Sequence, residues 1–424
     1  MSQLLAHYET VLQLVEEGLG VDVIYLDFSK AFDKVDFEVL LNKLKSVGIG
    51  GCLGKWFYSF LTNRTQFVSV NRSLSEPISV KSGVIQGSVL GPLLFLIMLN
   101  DIDNDIFSSY LKSFADDTRI AHGISDANDA SSLQSDLNAV FSWADQNNME
   151  FNDDKFELIR YNIQPGTEHF NYASSNESDI NLKTSIKDLG IMMSDNLRFS
   201  EHIDNICLSI KNMSSWILRT FNSRSKHVLL PLWKSLVIPI HDYCSQIWSP
   251  TKVSDVQKLD LLQWSFVKKI MRECGNDYWD CLKELKLYSF QRRRERYQII
   301  YAWKIMENIV PNPNSLLPSG ITNGITVNFN SRNGRFCVPP AVKRRQCSVK
   351  FRNIRDSSFC FNAPKLFNTL PKDIRNISNC SIDKFKLRLD NFLQSVPDFP
   401  HLPGLGKYSI ATSNSLIHMI PCYT

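Results

Sequence analysis

The chain has 424 residues, which at about 150 residues per domain suggests two or three domains. It is 43% hydrophobic and 21% charged, the balance of a globular chain, which excludes a mainly disordered or collagen-like protein. The net charge of +4 conceals a split: residues 1–200 hold 15 Lys and Arg against 27 Asp and Glu, residues 201–424 hold 32 against 16. An acidic half joined to a basic half points to metal ions or a polyanion.

Residues 2–18 read as an amphipathic helix, with Leu4, Leu5, Tyr8, Val11, Leu12 and Val15 at helical spacing. Glu9, Glu16 and Glu17 interrupt any secretory signal there. Val21 to Phe28 reads as a short buried strand. Asp36 is placed to cap a helix through Val47, and Gly48, Gly50 and Gly51 end it. Gln66–Val70 and Ile78–Val80 resemble strands. Leu90–Asn100 suits a buried helix with Pro92 in its first turn. The apolar run Val89–Leu99 around it is too short to span a bilayer, which needs roughly 20 residues. Leu111–Phe114 and Thr118–Ala121 flank Asp116 and Asp117 as a hairpin. A helix over 126–148 and a strand at Glu157–Tyr161 follow.

Beyond residue 200 longer helices are expected. Val256, Leu259, Leu262, Phe266 and Ile270 define one apolar stripe, beside Lys268, Lys269 and Arg272. Another helix should run from Ser289 to Met306, opening with Arg292, Arg293, Arg294 and Arg296. Residues 311–424 hold 11 of the 17 prolines and should be loop-rich. The ten cysteines form no CxxC pair, so a zinc ribbon is not indicated, and they read as reduced thiols of an intracellular protein.

This order of elements suggests an α+β layer. Asp27 lies near the end of one strand, and Asp116 and Asp117 at a turn between two others. If those strands are neighbours, three carboxylates converge. Crowded carboxylates need cations, and hard oxygen ligands suit Mg²⁺. Two such ions about 3.5–4 Å apart promote phosphoryl or nucleotidyl transfer. Adjacent acids are also common at solvated turns, and Asp153-Asp154 reads as one such pair.

Tyr25–Asp36 (YLDFSKAFDKVD), Ser82–Phe95 (SGVIQGSVLGPLLF) and Ser113–Ile120 (SFADDTRI) occur in that order. Together they resemble the palm of the reverse transcriptases of non-LTR retrotransposons, of the LINE-like or jockey-like type. The likeness continues through Met149–Tyr161, Lys187–Ile203, Tyr243–Pro250 (YCSQIWSP) and Leu287–Ile305. It implies a palm, an antiparallel sheet with helices on one face, with partial fingers over residues 1–185. A primer-grip and helical thumb-like region over 186–310 and a Pro-rich region of unknown role over 311–424 would follow.

The resemblance implies an RNA-directed DNA polymerase that joins a dNTP to a primer 3′-hydroxyl on an RNA template, with two Mg²⁺ ions or Mn²⁺ in their place. Asp27, Asp116 and Asp117 would hold the ions. Lys155 would protonate or neutralise the leaving pyrophosphate. Phe28, through its backbone, would line the triphosphate site, and Phe32 would exclude a 2′-hydroxyl. Gln86 and Gly87 would contact nucleotide and template. Leu189 and Gly190 would grip the primer end. Lys268, Lys269, Arg272, Arg292, Arg293 and Arg296 would contact duplex phosphates, which gives salt-dependent binding; a solvated helix face is the other reading of the arginine run.

Ile85 stands where the family usually has Pro, Phe37 where it has His, and Phe156 where it has Thr. Met1 falls where relatives are already within the fingers, so the acidic half is expected to offer little cationic surface to a nucleotide. A decayed relic that keeps the fold, and a non-catalytic RNA-binding protein, are the competing expectations.

Overall fold

The computed structural model describes residues 1–162, 170–250, 252–271, 278–312, 326–330, 334–340, 349–399 and 414–420. These divide into two units, residues 19–184 and residues 1–18 with 185–424. The opening helix, α1 (Ser2–Glu16), therefore belongs with the second unit.

The first unit is built on a five-stranded sheet. Its elements in chain order are β1 (Gly20–Leu26), α2 (Phe37–Ser46), α3 (Gly51–Leu61) and four two-residue strands. Those are β2 (Thr65–Gln66), β3 (Ser69–Val70), β4 (Ser73–Leu74) and β5 (Ile78–Ser79). Then come α4 (Gly91–Leu99), β6 (Tyr110–Phe114), β7 (Asp117–Ile124), α5 (Ala127–Gln146), β8 (Glu157–Tyr161) and β9 (Asn181–Lys183). The sheet order is β6-β7-β1-β8-β9, antiparallel except for the parallel β8–β9 pair.

Alternation along the strands sorts their faces. Ile24 and Leu26 of β1, Ile120 and Ile124 of β7 and Leu158 of β8 join one apolar core with Leu40, Leu94, Phe95, Leu133 and Leu137 of the helices. Asp36 caps α2, its Oδ1 accepting from the Glu38 and Val39 amides at 2.8 and 3.0 Å. Pro92 sits in the first turn of α4, where its missing N–H costs nothing.

Two local expectations change. The glycines after Val47 do end α2, but Gly51 also opens α3, a helix that the glycine cluster hid. The strands expected over 66–70 and 78–80 are reduced to two small ladders, β2–β5 and β3–β4, with exposed side chains.

The second unit continues with β10 (Ser185–Asp188), β11 (Ile191–Ser194), α6 (Ser200–Thr220), α7 (Lys226–Leu232), α8 (Ile238–Asp242), α9 (Val253–Ile270), α10 (Tyr278–Leu285) and α11 (Phe290–Met306). After these come β12 (Thr326–Asn330), β13 (Gly334–Val338), α12 (Val349–Ser357), α13 (Phe359–Asn368), α14 (Lys372–Arg375), α15 (Ile382–Ser395) and α16 (Leu416–Met419). The region expected to be loop-rich thus holds five helices among its described residues. Prolines punctuate them rather than replace them: Pro371 precedes α14, and Pro364 lies inside α13.

Residues 186–310 and 311–424 do not separate, because side chains lock them together. Trp303 of α11 stacks on Phe385 of α15 at 4.4 Å. Helix α1 joins them through charge. Arg355 of α12 donates to Glu16 Oε2 at 3.0 Å and to Glu9, and all three residues are buried. The acids that interrupt the apolar helix are therefore interior partners of one arginine, and α1 is buried on nearly all sides rather than on one.

Removing one partner of a buried ion pair leaves a desolvated charge behind. Arg355→Ala should lower unfolding free energy by about 3–5 kcal/mol. Urea denaturation checks this, and a change under 1 kcal/mol would show that α1 is not held by charge.

Candidate active site

Strand β1 lies between β7 and β8, and its register sets the site. Leu26 pairs with Thr118, so one further step brings Asp27 opposite Asp117. On the other side of β7, Phe114 pairs with Asp117 across a two-residue turn of Ala115 and Asp116. Three carboxylates thus gather at one end of the sheet.

A cation reaches the same point from the β8 side. A one-turn 3₁₀ helix, Asp153–Lys155, precedes β8, and Lys155 Nζ donates to Asp27 Oδ2 at 2.8 Å. The main chain fixes both: the Asp27 carbonyl accepts from the Asn152 amide, and the Ser29 amide donates to the Glu150 carbonyl, each at 2.8 Å. Asp153 is not merely solvated, since Ser175 Oγ and the Asn176 amide both donate to it.

The electrostatics follow from this crowding. Partial burial, then Asp116, then Asp27 raise the Asp117 carboxyl pKa, against a smaller opposing effect of Arg119. The hydrogen bond from Lys155 to Asp27 raises the Lys155 pKa, so its ammonium is charged at neutral pH. Among the described residues no three His, Cys, Asp or Glu side chains stand close enough to enclose an ion. Mg²⁺ needs only one or two protein carboxylates, with water and phosphate completing its shell, and this oxygen donor set fits it.

The nucleotide-side candidates occupy the same unit. Phe28 is buried, stacked on Phe151 at 4.4 Å and edge-on to Trp143, so only its backbone is offered. Phe32 stacks on Phe95 at 4.6 Å and is partly open. Gln86 is exposed, its Nε2 donating to Asp33 Oδ1 at 2.8 Å. Gly87 has open space where a side chain would stand. The loop carrying Gln86 is clamped onto the 32–35 turn. Amides of Gly83 and Val84 donate to the carbonyls of Val35 and Phe32 at 2.8 and 2.9 Å. A side chain at Gly83 would stand 2.7 Å from the Asp33 carbonyl oxygen, which leaves room only for glycine.

Beside that loop lies a cleft of about 1020 Å³, lined by Lys30, Asp33, Arg64, Lys81 and Gln86 among others. Its basic lining was not foreseen. Residues 39–100 in fact hold six Lys and Arg and a single acid, Glu76, so the acidic half contains a cationic stretch. A finer window of charge along the chain is the signal that finds it. Arg64 also ties the structure, donating to the carbonyls of Leu61 and Gly83 at 2.7 and 2.6 Å.

The remaining candidates lie in the second unit. Leu189 and Gly190 form the turn between β10 and β11. Lys268 and Lys269 are exposed on α9, and Arg272 lies outside the described residues. The arginines of α11 are not an open basic face. Arg292 is 0% exposed and donates to the carbonyls of Val396 and Pro397 at 3.3 and 2.9 Å. Arg293 pairs with Asp242 at 2.6 Å and Arg296 with Asp390 at 2.5 Å, both largely covered. Their partners lie about 50 to 105 residues away, so no local sequence pattern reveals the pairing.

Residues 12–193 match the family model described as reverse transcriptase (RNA-dependent DNA polymerase). Over those residues the match is to a reverse transcriptase domain. It is 30% identical over 307 residues to the RNA-directed DNA polymerase from mobile element jockey of Drosophila melanogaster, covering 69% of this chain and 32% of the relative. It is 27% identical to the probable RNA-directed DNA polymerase from transposon X-element of the same fly, covering 60% and 29%. The chain therefore spans about a third of the length of these curated relatives, which are non-LTR retrotransposon polymerases. The apo telomerase of Candida tropicalis is similar in structure at a TM-score of 0.40 and 11% identity, over 72% of this chain and 49% of that one. Reverse transcriptases are nucleotidyltransferases that use divalent metal ions. No helix among the described residues is long and apolar enough to cross a membrane.

A raised carboxyl pKa means the folded state tolerates the ionised form less well than the unfolded state does. Stability is then lost as pH rises from the ordinary value of 3.8 through the raised one. Asp117→Asn should melt above wild type at pH 7, with the difference shrinking as pH falls toward 3.8. Thermal melts across that range check the sign, and an Asn variant less stable at pH 7 would contradict it.

Proposed function

We propose that this chain performs nucleotidyl transfer as an RNA-directed DNA polymerase, adding dNTPs to a DNA primer on an RNA template. The observation that carries this reading is the meeting of Asp27, Asp117 and the Lys155 ammonium at one sheet end, next to Asp116. Two Mg²⁺ ions bound by Asp27, Asp116 and Asp117 would supply the positive charge that activates the primer hydroxyl and stabilises the leaving pyrophosphate.

The chain's own residues supply the rest. Lys155 keeps its proton because Asp27 accepts from it, and it offers that proton to the leaving oxygen as charge develops there. Its 2.8 Å link to Asp27 ties the acid to the site. The Phe32 ring, held by Phe95, is a fixed wall against a 2′-hydroxyl. Gln86 and the bare backbone at Gly87 meet the incoming base pair. Lys30, Arg64 and Lys81 line a cleft suited to an anionic ligand. Lys268 and Lys269 are the phosphate contacts that remain on the helical unit.

Primer extension with Mg²⁺, dNTPs and an RNA template tests this. Wild type should extend, Asp116→Ala should abolish extension, and Lys155→Ala should slow it about 10²–10⁴-fold, the usual worth of a positioned acid. Equal extension by wild type and Asp116→Ala would sink the assignment. No extension by wild type, with duplex binding retained, would favour the decayed relic.

A further inference from the structure

The segment Tyr243–Pro250 has no part in the chemistry above, yet its first residue contacts the β10–β11 turn. Asp188 pairs with Ile191, so Leu189 and Gly190 form a two-residue hairpin loop. Both have positive φ, +45° and +87°. That is the pattern of the tight hairpin turn that suits strand twist, but leucine is a poor occupant of its first position. Something outside the hairpin must hold this shape.

Tyr243 does so. Its hydroxyl donates to the Leu189 carbonyl at 2.8 Å. Its ring closes over Gly190, where an added Cβ would stand 3.3 Å from Cε1. The chain that carries the ring is anchored on both sides. On one side Asp242 takes a two-pronged hydrogen bond from Arg293 at 2.7 and 2.6 Å, and another from Tyr297 at 3.0 Å. On the other, the Tyr243 carbonyl accepts from Trp248 Nε1 at 2.8 Å, and Trp248 is fully buried. Yet Tyr243 itself is 53% exposed. Burial of the ring does not account for so rigid a mount.

We propose that Tyr243 is a positioning residue that fixes the Leu189–Gly190 turn in the shape that receives a primer terminus. Trp248 and the Arg293–Asp242 pair are its base. The inference rests on the reading of that turn as a primer grip and adds the strut that shapes it. It also gives the arginine run of α11 a role: Arg293 acts through Asp242 on the turn rather than on phosphate.

The test uses the full chain and a DNA primer annealed to RNA, with 2-aminopurine either at the primer 3′ end or ten pairs inside the duplex. Tyr243→Phe keeps the ring and loses one hydrogen bond. It should melt with wild type and bind the duplex with unchanged affinity. The terminal reporter should lose its binding-induced change while the internal one keeps it. Single-turnover incorporation should fall about fivefold, the worth of one neutral hydrogen bond. Gly190→Ala, which pushes the turn from the ring, should do the same, and the double variant should be less than additive. A wild-type terminal signal and rate in Tyr243→Phe overturns the proposal. So does an equal loss at both reporters, which marks a general binding defect. A terminal reporter indifferent to Gly190→Ala as well removes the primer-grip reading itself, and the proposal with it.

Discussion

Like charges crowded at the end of one antiparallel ladder are the constraint on which the first unit depends. The pairing of β1 with β7 brings Asp27 beside Asp117, with Asp116 at the adjoining turn. That arrangement costs stability: partial burial first, and then Asp116 and Asp27, raise the Asp117 pKa. Folded chains retain such repulsion where function needs it. The surroundings hold the cluster together. Lys155 offsets one carboxylate, the Asn152 and Glu150 contacts stitch β1 to the chain before β8, and the helix-side core backs the strands.

Local order was largely legible in the sequence. The strand Glu157–Tyr161 and the helices opened by Asp36 and Ser289 were visible because caps and periodicity are written in neighbouring residues. The three motif segments lay in the order the site requires. What was hidden depended on distant partners. Arg292, Arg293 and Arg296 looked like a surface stripe because Asp242, Asp390 and the carbonyls at 396–397 are remote in sequence. Helix α1 looked amphipathic because nothing nearby announces that Arg355 neutralises Glu9 and Glu16. Helix α3 was masked by glycines that both end one helix and open the next.

The charge split acquires a finer grain. The acidic half contains a cationic island over residues 39–100, and Arg64 and Lys81 from it line a cleft with Lys30 and Gln86. The basic half spends several of its arginines internally, on Asp242, Asp390, Glu9 and Glu16. Net charge per half therefore overstates both the acidity of the first unit and the free basic surface of the second. Position relative to the sheet end, rather than total charge, decides which groups meet an anionic ligand.

The central claim is that the end of β1 and β7 is a divalent-cation site. Titration of the isotope-labelled full chain with Mn²⁺, read as paramagnetic broadening of amide signals, tests it without turnover. Broadening should begin at Leu26, Thr118 and Phe156, which flank the cluster, and should vanish in Asp27→Asn. Broadening centred instead on the acids at Asp101, Asp103 and Asp105, and unchanged by Asp27→Asn, would contradict the account.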